Sequence, residues 1–115
     1  MRVSPNQSRA KSGFIIIWEF RVLPAKQRLF EKAYGRRGEW AKFFQQAKGY
    51  IGTELIRDLN ERDRYFTLDF WRSRRAYDAF KSKHREMYRL IDEKCESLTT
   101  REIEIGQFSA VLSRS

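Results

Sequence analysis

Residues 14–23 alternate between two largely apolar faces, which is the pattern of a β-strand. The even-numbered positions are all apolar, whereas the odd-numbered positions include Glu19 and Arg21. β-Branched and aromatic residues dominate the stretch, and Pro24 ends it. Because both faces carry apolar side chains, the pattern predicts a strand that is covered on both sides of a sheet.

Three further strands are predicted downstream. Residues 50–59 and 64–71 have strand composition and are joined by the polar connection 60–63, which predicts an antiparallel hairpin. Gly52 indicates either a bulge or a close approach of another backbone. The last predicted strand covers residues 102–112.

Helical spacing of apolar residues fills the two gaps between these strands. In the first gap, Pro24 suits the first turn of a helix. Gly35 and Gly38 weaken this helix, and Gly49 is expected to end it.

The second helical region carries a single apolar stripe. Ser73 is its predicted N-cap, a bend is expected near Ser82, and the pair Thr99 and Thr100 breaks the pattern. The stripe consists of Tyr77, Phe80, His84, Met87, Ile91, Cys95 and Leu98.

The element order β-α-β-β-α-β predicts an α+β fold of the ferredoxin-like type, with a four-stranded antiparallel sheet and helices on one face. A chain of 115 residues accommodates one such domain, at 14–112, with a loose basic arm at 1–13 and a short tail at 113–115. Two helices cover one sheet face only, and the other face still carries apolar residues. We therefore expect two copies to pack these faces together in a symmetric homodimer.

The net charge of +9 raises the question of a nucleic-acid partner. Residues 21–49 hold eight basic side chains against two acidic ones, and residues 72–89 hold seven against two. These basic residues mostly lie outside the apolar stripes, so they are interpreted as the solvent-exposed faces of the helices. No nucleic-acid-reading motif accompanies them. The same charge would also steer an anionic substrate toward the surface.

Several classes of chemistry are not indicated. Cys95 is the single cysteine and His84 the single histidine, so neither an internal disulfide nor a metal-ligand cluster is expected. The segment from Gly35 to Gly38 lacks the setting of a phosphate-binding loop. No apolar run is long enough to span a membrane and no secretory signal is recognisable, which predicts a cytoplasmic protein without a membrane partner.

The junction between the third strand and the second helical region is the predicted functional site. Trp71 lies at this corner, and Tyr77 and Phe80 share one helical face after it. Asp69 alternates with Thr67 and Trp71, so these three side chains should face the same side. Aromatic side chains and an acid turned toward one space can form a small ligand pocket.

Several segments together resemble the antibiotic biosynthesis monooxygenase family, which forms dimeric α+β barrels. The resemblance covers roughly residues 14–111. It rests on residues 49–55 (GYIGTEL), 69–73 (DFWRS) followed by Ala76 and Tyr77, and 104–108 (EIGQF). The family includes oxygenases that use O₂ without metal or flavin, haem-degrading enzymes and an isomerase, so the resemblance indicates fold more closely than reaction.

The resemblance carries over to individual positions. Trp71 and Tyr77 match a tryptophan and a tyrosine that line the substrate pocket of the aromatic polyketide oxygenases. Thr67 stands where those enzymes have an asparagine, and a hydroxyl binds a substrate oxygen differently from an amide. The haem-degrading branch needs an asparagine, a tryptophan and a ligating histidine at positions occupied here by Phe20, Phe80 and Leu90, so haem is not an expected cofactor.

The sequence leaves the state of Asp69 and the role of His84 open. An acid facing an apolar cavity has to be ion-paired, raised in pKa or hydrated. His84 or Arg57 are the candidate partners for such a pair. His84 itself lies on the apolar stripe, which is typical of a core histidine as well as of a catalytic one.

These observations yield two main functional hypotheses, and nucleic-acid binding through the basic helices is a third. In the first, the protein oxygenates a small aromatic or quinol-type compound with O₂ and no other cofactor. Tyr77 and Thr67 would orient the substrate, and Asp69 or His84 would accept its proton. The apolar pocket walls would be Trp18, Phe20, Trp71 and Phe80. In the second hypothesis, the same pocket binds or senses a small ligand without changing it.

Overall fold

The computed structural model describes residues 12–111, and most of the predicted N-terminal arm and the whole predicted tail lie outside them. Its strands are β1 (Phe14–Val22), β2 (Tyr50–Arg57), β3 (Arg64–Trp71) and β4 (Thr99–Phe108). They form one antiparallel sheet in the order β2-β3-β1-β4. This order is the ferredoxin-like arrangement, so the predicted fold class is confirmed.

Four α-helices lie between these strands. A 3₁₀ turn at Pro24–Lys26 leads into α1 (Gln27–Tyr34), and α2 (Glu39–Phe44) follows. After β3 come α3 (Arg74–Lys83) and α4 (Arg85–Cys95), with a 3₁₀ turn at Glu96–Leu98.

The first helical region is divided into α1 and α2 at the glycines that were expected to weaken it. Gly38 packs directly against the end of α1. A Cβ atom at this position would lie 2.4 Å from the carbonyl oxygens of Lys32 and Ala33. Only glycine allows this close approach, which lets the chain turn sharply and start α2.

The second helical region is divided at His84 rather than near Ser82. Ser73 caps α3 as predicted, since its Oγ accepts a hydrogen bond from the Ala76 N–H at 3.1 Å. At His84 the backbone leaves helical geometry, with φ −114° and ψ 33°. Beyond this break, Met87 is 49% exposed, and Tyr88, four residues after His84, packs against the core instead. The prediction of one continuous stripe is therefore wrong at Met87.

The ends of β2 and β4 also differ from the predicted bounds. β2 ends at Arg57, before the predicted 59, and its expected irregularity is a bulge next to Gly52. The helical pattern ends before Thr99 as predicted, and β4 begins at Thr99 rather than at the predicted residue 102, because Thr99 pairs with Val22 of β1. β4 ends at Phe108, which pairs with Ile15, the second residue of β1. β1 therefore offers almost no further partner to the residues that follow Phe108.

The two faces of the sheet have different surroundings. The face toward the helices carries the core, and Ile16, Val22, Tyr65 and Trp71 on it are at most 2% exposed. By strand alternation, the other face carries both apolar and charged side chains. Its apolar members include Ile15, Ile17, Ile56, Phe66, Leu68, Phe70, Ile103 and Phe108. We call this surface the open sheet face. Within residues 12–111, no helix is long and apolar enough to cross a membrane.

Candidate functional site

A cavity of about 230 Å³ lies between the sheet and the helical layer. All four strands contribute to its floor, through Trp18, Phe20, Thr53, Thr67, Asp69 and Glu102. All four helices contribute to its remaining wall, through Tyr34, Trp40, Phe44, Lys81, Tyr88 and Asp92.

The walls of the cavity are mainly aromatic. Phe20, Trp40 and Phe44 are each less than 9% exposed, so their rings are fixed by packing. Pockets for drug-sized ligands usually measure about 300–1,000 Å³. A cavity slightly below this range, with flat aromatic walls, fits a planar molecule of one or two rings.

Asp69 is the acid on the cavity floor. Its Oδ1 accepts a hydrogen bond from Thr53 Oγ1 at 2.6 Å. Burial raises the pKa of Asp69 from 3.8 to about 6, and the Thr53 hydrogen bond opposes this shift. Asp69 keeps a part of its surface accessible because it lines the cavity. Near neutral pH it is therefore a carboxylate that is a stronger base than an ordinary aspartate.

The hydrogen bond to Asp69 extends to a second hydroxyl. Tyr50 OH and Thr53 Oγ1 are 2.6 Å apart. Because Thr53 donates its proton to Asp69, Tyr50 is the donor in this second bond. This chain of hydrogen bonds, from Tyr50 to Thr53 to Asp69, fixes the position of the carboxylate from the β2 side. Burial raises the pKa of Tyr50 to about 12, so this phenol remains a donor.

Two phenols, those of Tyr34 and Tyr88, line the cavity itself. Burial raises the pKa of Tyr34 and of Tyr88 well above the usual tyrosine value. Tyr77 and Asp69 act in the same direction on Tyr88. Both phenols are neutral at physiological pH and can donate hydrogen bonds to a ligand oxygen.

Exposed charged side chains form the outer part of the cavity wall. They are Lys81 from α3, Asp92 from α4 and Glu102 from β4. Lys81 Nζ lies 4.8 Å from the centre of the Tyr88 ring, within cation–π range. The protein around Glu102 removes water from its carboxylate and raises its pKa, and Asp92 adds to this effect.

The structure places the sequence-derived site residues in two groups. Trp18, Phe20, Thr67 and Asp69 line the cavity. Trp71, Tyr77, Phe80 and His84 are not among its lining residues. They form a second aromatic layer behind it, together with Tyr50 and Phe43.

Trp71 is the centre of this second layer. Its side chain is 0% exposed, and its ring centre lies 5.2–5.9 Å from those of Tyr50, Phe44, Tyr77 and Phe80. Its indole Nε1 has no hydrogen-bond partner among the described residues. Trp71 therefore supports the cavity from behind by packing.

Neither of the two ion-pair partners considered for Asp69 reaches it. His84 packs its ring 4.5 Å from that of Phe80, at the junction of α3 and α4. Arg57 Nη1 contacts Glu31 Oε2 and Tyr65 OH, each at 3.4 Å. The carboxyl of Asp69 is instead hydrogen-bonded to Thr53 and has a raised pKa.

Sequence analysis did not identify Thr53 as part of the site, although a signal was available. The hairpin between β2 and β3 pairs Arg57 with Tyr65, and regular antiparallel counting from there pairs Thr53 with Asp69. The helical residues Tyr34, Trp40, Phe44, Lys81, Tyr88 and Asp92 had no comparable signal. Their positions depend on how the four helices pack against the sheet.

The described residues contain no group of three or more histidine, cysteine, aspartate or glutamate side chains arranged to hold a metal ion. The donors around Asp69 are hydroxyl groups. This arrangement can accept a proton from a bound ligand and can donate hydrogen bonds to its oxygen atoms.

Comparison with known proteins relates the chain to one family and to several solved structures that share its fold. A family model described as antibiotic biosynthesis monooxygenase matches residues 13–87. A search of the curated proteins gave no match. A variant of SnoaB, described as a cofactor-independent oxygenase from Streptomyces nogalater, is 19% identical, with a TM-score of 0.71 over 87% of this chain and 94% of that chain.

Other solved structures share the fold at lower identity. PA3566 from Pseudomonas aeruginosa is 15% identical, with a TM-score of 0.65 over 88% of this chain and 96% of that one. A conserved protein from Methanosarcina mazei is 10% identical, with a TM-score of 0.66 over 90% of this chain and 97% of that one. At these identities the likeness concerns the fold.

Proposed function

Because the chain belongs to the antibiotic biosynthesis monooxygenase family, we propose that it is a cofactor-independent monooxygenase acting with O₂ on a small phenol or quinol. SnoaB, which shares the fold, is described as a cofactor-independent oxygenase. The proposed substrate class follows from the cavity, which has aromatic walls, neutral phenol donors and the carboxyl group of Asp69 on its floor.

The observation that carries the proposal is the environment of Asp69. A phenol reacts with O₂ far more readily as its anion, because the anion gives up an electron more easily. The reaction therefore needs a base beside the substrate. Asp69 lines the cavity and has a pKa raised to about 6, which is a suitable value for a general base near neutral pH.

The overall reaction balances without an external reductant. The substrate loses two hydrogen atoms and gains one oxygen atom, and the second oxygen atom of O₂ leaves as water. A phenol with a free para carbon thus becomes a quinone. Both electron pairs that reduce O₂ come from the substrate, so the protein has to bind, deprotonate and shield it.

Each cavity residue has a proposed role in this reaction. Trp18 and Phe20 hold the flat face of the ring. Thr67, whose Cα-paired neighbour on β1 is Trp18, hydrogen-bonds a substrate oxygen in place of the amide found in related oxygenases. Asp69 accepts the phenolic proton, and we prefer it to His84 because His84 does not line the cavity.

Oxygen uptake with hydroquinone, naphthols and dihydroxynaphthalenes tests this function. We expect enzyme-dependent oxygen consumption with at least one compound, together with a product that has gained one oxygen atom and lost two hydrogen atoms. Heat-denatured protein measures the spontaneous oxidation. If these compounds bind in the cavity and are recovered unchanged, the non-catalytic binding module is the correct alternative.

We further propose that two copies pack their open sheet faces together. Ile56 and Phe108 on this face are 51% and 46% exposed, and Ile15, Ile17 and Leu68 are partly exposed. A surface of this kind on an isolated domain usually marks an interface. Packing it against a second copy removes the apolar residues of both protomers from water.

A charge at the centre of this face is expected to prevent dimer formation. Leu68 pairs with Ile17 on one side and Glu54 on the other, in the middle of the sheet. Light scattering after size exclusion should give a dimer for the wild type and a monomer for Leu68→Glu. Leu59→Glu, at a position 89% exposed in the β2–β3 connection, is the matched control and should remain dimeric. A monomeric wild type at micromolar concentration would contradict the proposal.

A further inference from the structure

A second concave surface lies on the helical layer, away from Asp69. It is a groove of about 620 Å³ between α1 and α2 on one side and the end of α4 on the other. Its volume lies within the range of about 300–1,000 Å³ that small-molecule pockets usually have. None of the residues that line it also lines the cavity.

The groove has an unbalanced positive charge. Five basic side chains line it, against one carboxylate, Glu39. Lys94 Nζ lies 3.2 Å from Glu39 Oε1, so this pair is neutral. The other four, Lys26, Lys32, Arg37 and Lys42, have no carboxylate partner within the described residues.

Some basic side chains on other surfaces of the protein are paired with carboxylates. Arg21 contacts Glu61 and Asp63, Arg64 contacts Glu19 and Asp58, and Arg89 contacts Glu86 and Glu93. The four basic side chains without a carboxylate partner at the groove create a local positive potential there.

The floor between these charges is apolar. Leu29 is 54% exposed at the edge of the groove, and Ala33 and Leu98 continue the apolar surface inward. A cationic rim around an apolar floor is complementary to a molecule that has an anionic group attached to an apolar body. A free phosphate ion would leave the floor uncovered, and an uncharged lipid would leave the rim without a partner.

We propose that this groove binds a free amphipathic anion, a small molecule with a phosphate group on an apolar body. Lys32, Arg37 and Lys42 contact the anionic group, and Leu29 and Leu98 contact the apolar part. The concave shape favours a small molecule over a nucleic-acid duplex or a membrane surface, which contact proteins over wider areas.

Nuclear magnetic resonance of the ¹⁵N-labelled full chain, titrated with octyl phosphate below its aggregation concentration, tests this proposal. We expect amide shifts at residues 26–42 and 94–98. Inorganic phosphate and octanol, which each carry one half of the probe, should bind at least about tenfold more weakly, the factor that corresponds to about 1.4 kcal/mol.

Two double variants distinguish binding in the groove from a general effect of the net charge of the protein. Lys32→Gln with Lys42→Gln should weaken octyl phosphate at least about tenfold. Lys48→Gln with Lys83→Gln removes the same charge from exposed positions outside the groove and should leave binding unchanged. Any of four results would overturn the proposal: shifts confined to the cavity residues, equal weakening by both double variants, equal affinity for inorganic phosphate, or binding only to duplex DNA or anionic vesicles.

Discussion

Replacing Asp69 with asparagine is expected to lower kcat for oxygen consumption by about 10²–10⁴-fold, the usual contribution of a positioned general base. Asparagine keeps the shape of the side chain and an oxygen that can accept the hydrogen bond from Thr53, which is 2.6 Å long in the wild type. It removes the negative charge and, with it, the ability to take up a proton. Oxygen-electrode measurements with the best substrate of the phenol panel give the comparison, and a variant as active as the wild type would exclude Asp69 as the base.

The pH profile is a second measure of the same residue. Asp69 accepts a proton only when it is ionised, so wild-type kcat should fall as the pH drops through about 6. The Thr53 hydrogen bond holds this pKa down, so Thr53→Val should move the acid limb of the profile to higher pH. Asp69→Asn should remove the limb. A merely structural role for Thr53 would lower kcat without moving the limb.

Stability provides the control for loss of folding. The pKa of Asp69 is 3.8 in the unfolded reference and about 6 in the fold, so the folded protein binds the proton more tightly. The unfolded state therefore binds fewer protons between pH 4 and 6, and stability falls as the pH rises through this window. At pH 7, Asp69→Asn should be more stable in urea by about 3 kcal/mol, and this gain should largely disappear near pH 4. A less stable variant at pH 7 would contradict the burial of a charged group at this position.

Replacing Trp71 with alanine is expected to lower the free energy of unfolding by about 3–5 kcal/mol. The side chain is 0% exposed and packs against four aromatic rings, so its removal leaves a cavity that neighbours fill only in part. Since whole domains are stable by about 5–15 kcal/mol, this is a large fraction. Urea unfolding followed by circular dichroism measures the loss.

Two variants calibrate that result. Trp71→Phe should lower the free energy of unfolding by less than Trp71→Ala does. The indole Nε1 has no hydrogen-bond partner among the described residues, so its loss breaks no hydrogen bond. Met87→Ala, at a position 49% exposed, should change stability by no more than about 0.5 kcal/mol. If Trp71→Ala folds with unchanged stability but loses ligand binding, Trp71 is a contact residue of the pocket and not a supporting one.

The fold followed closely from local patterns in the sequence. β1 starts at the predicted residue, β3 has the predicted bounds, and Ser73 caps α3. These features depend on a few neighbouring residues, through side-chain alternation and a local hydrogen bond. The limits of β4 depend instead on where β1 offers a partner, so they could not be derived from β4 itself.

The candidate site was predictable only on the strand side. Alternation placed Thr67 and Asp69 on one face, together with Trp18 and Phe20 on the neighbouring strand, and all four line the cavity. On the helical side, Met87 and Tyr88 lie three and four residues after His84, so helical spacing alone allows either to face the core. The structure turns Tyr88 inward and leaves Met87 exposed.

The sequence by itself determined the order of the elements, the two faces of each strand and the presence of an acid among aromatic side chains. Only the tertiary structure decided which aromatic rings line an open cavity next to Asp69 and which pack against one another outside it. The physical reason is that a cavity is the volume left between elements distant in the chain. The size of the cavity depends on how the helices pack against the sheet. The alternation of side chains along a strand, in contrast, depends only on the residues of that strand.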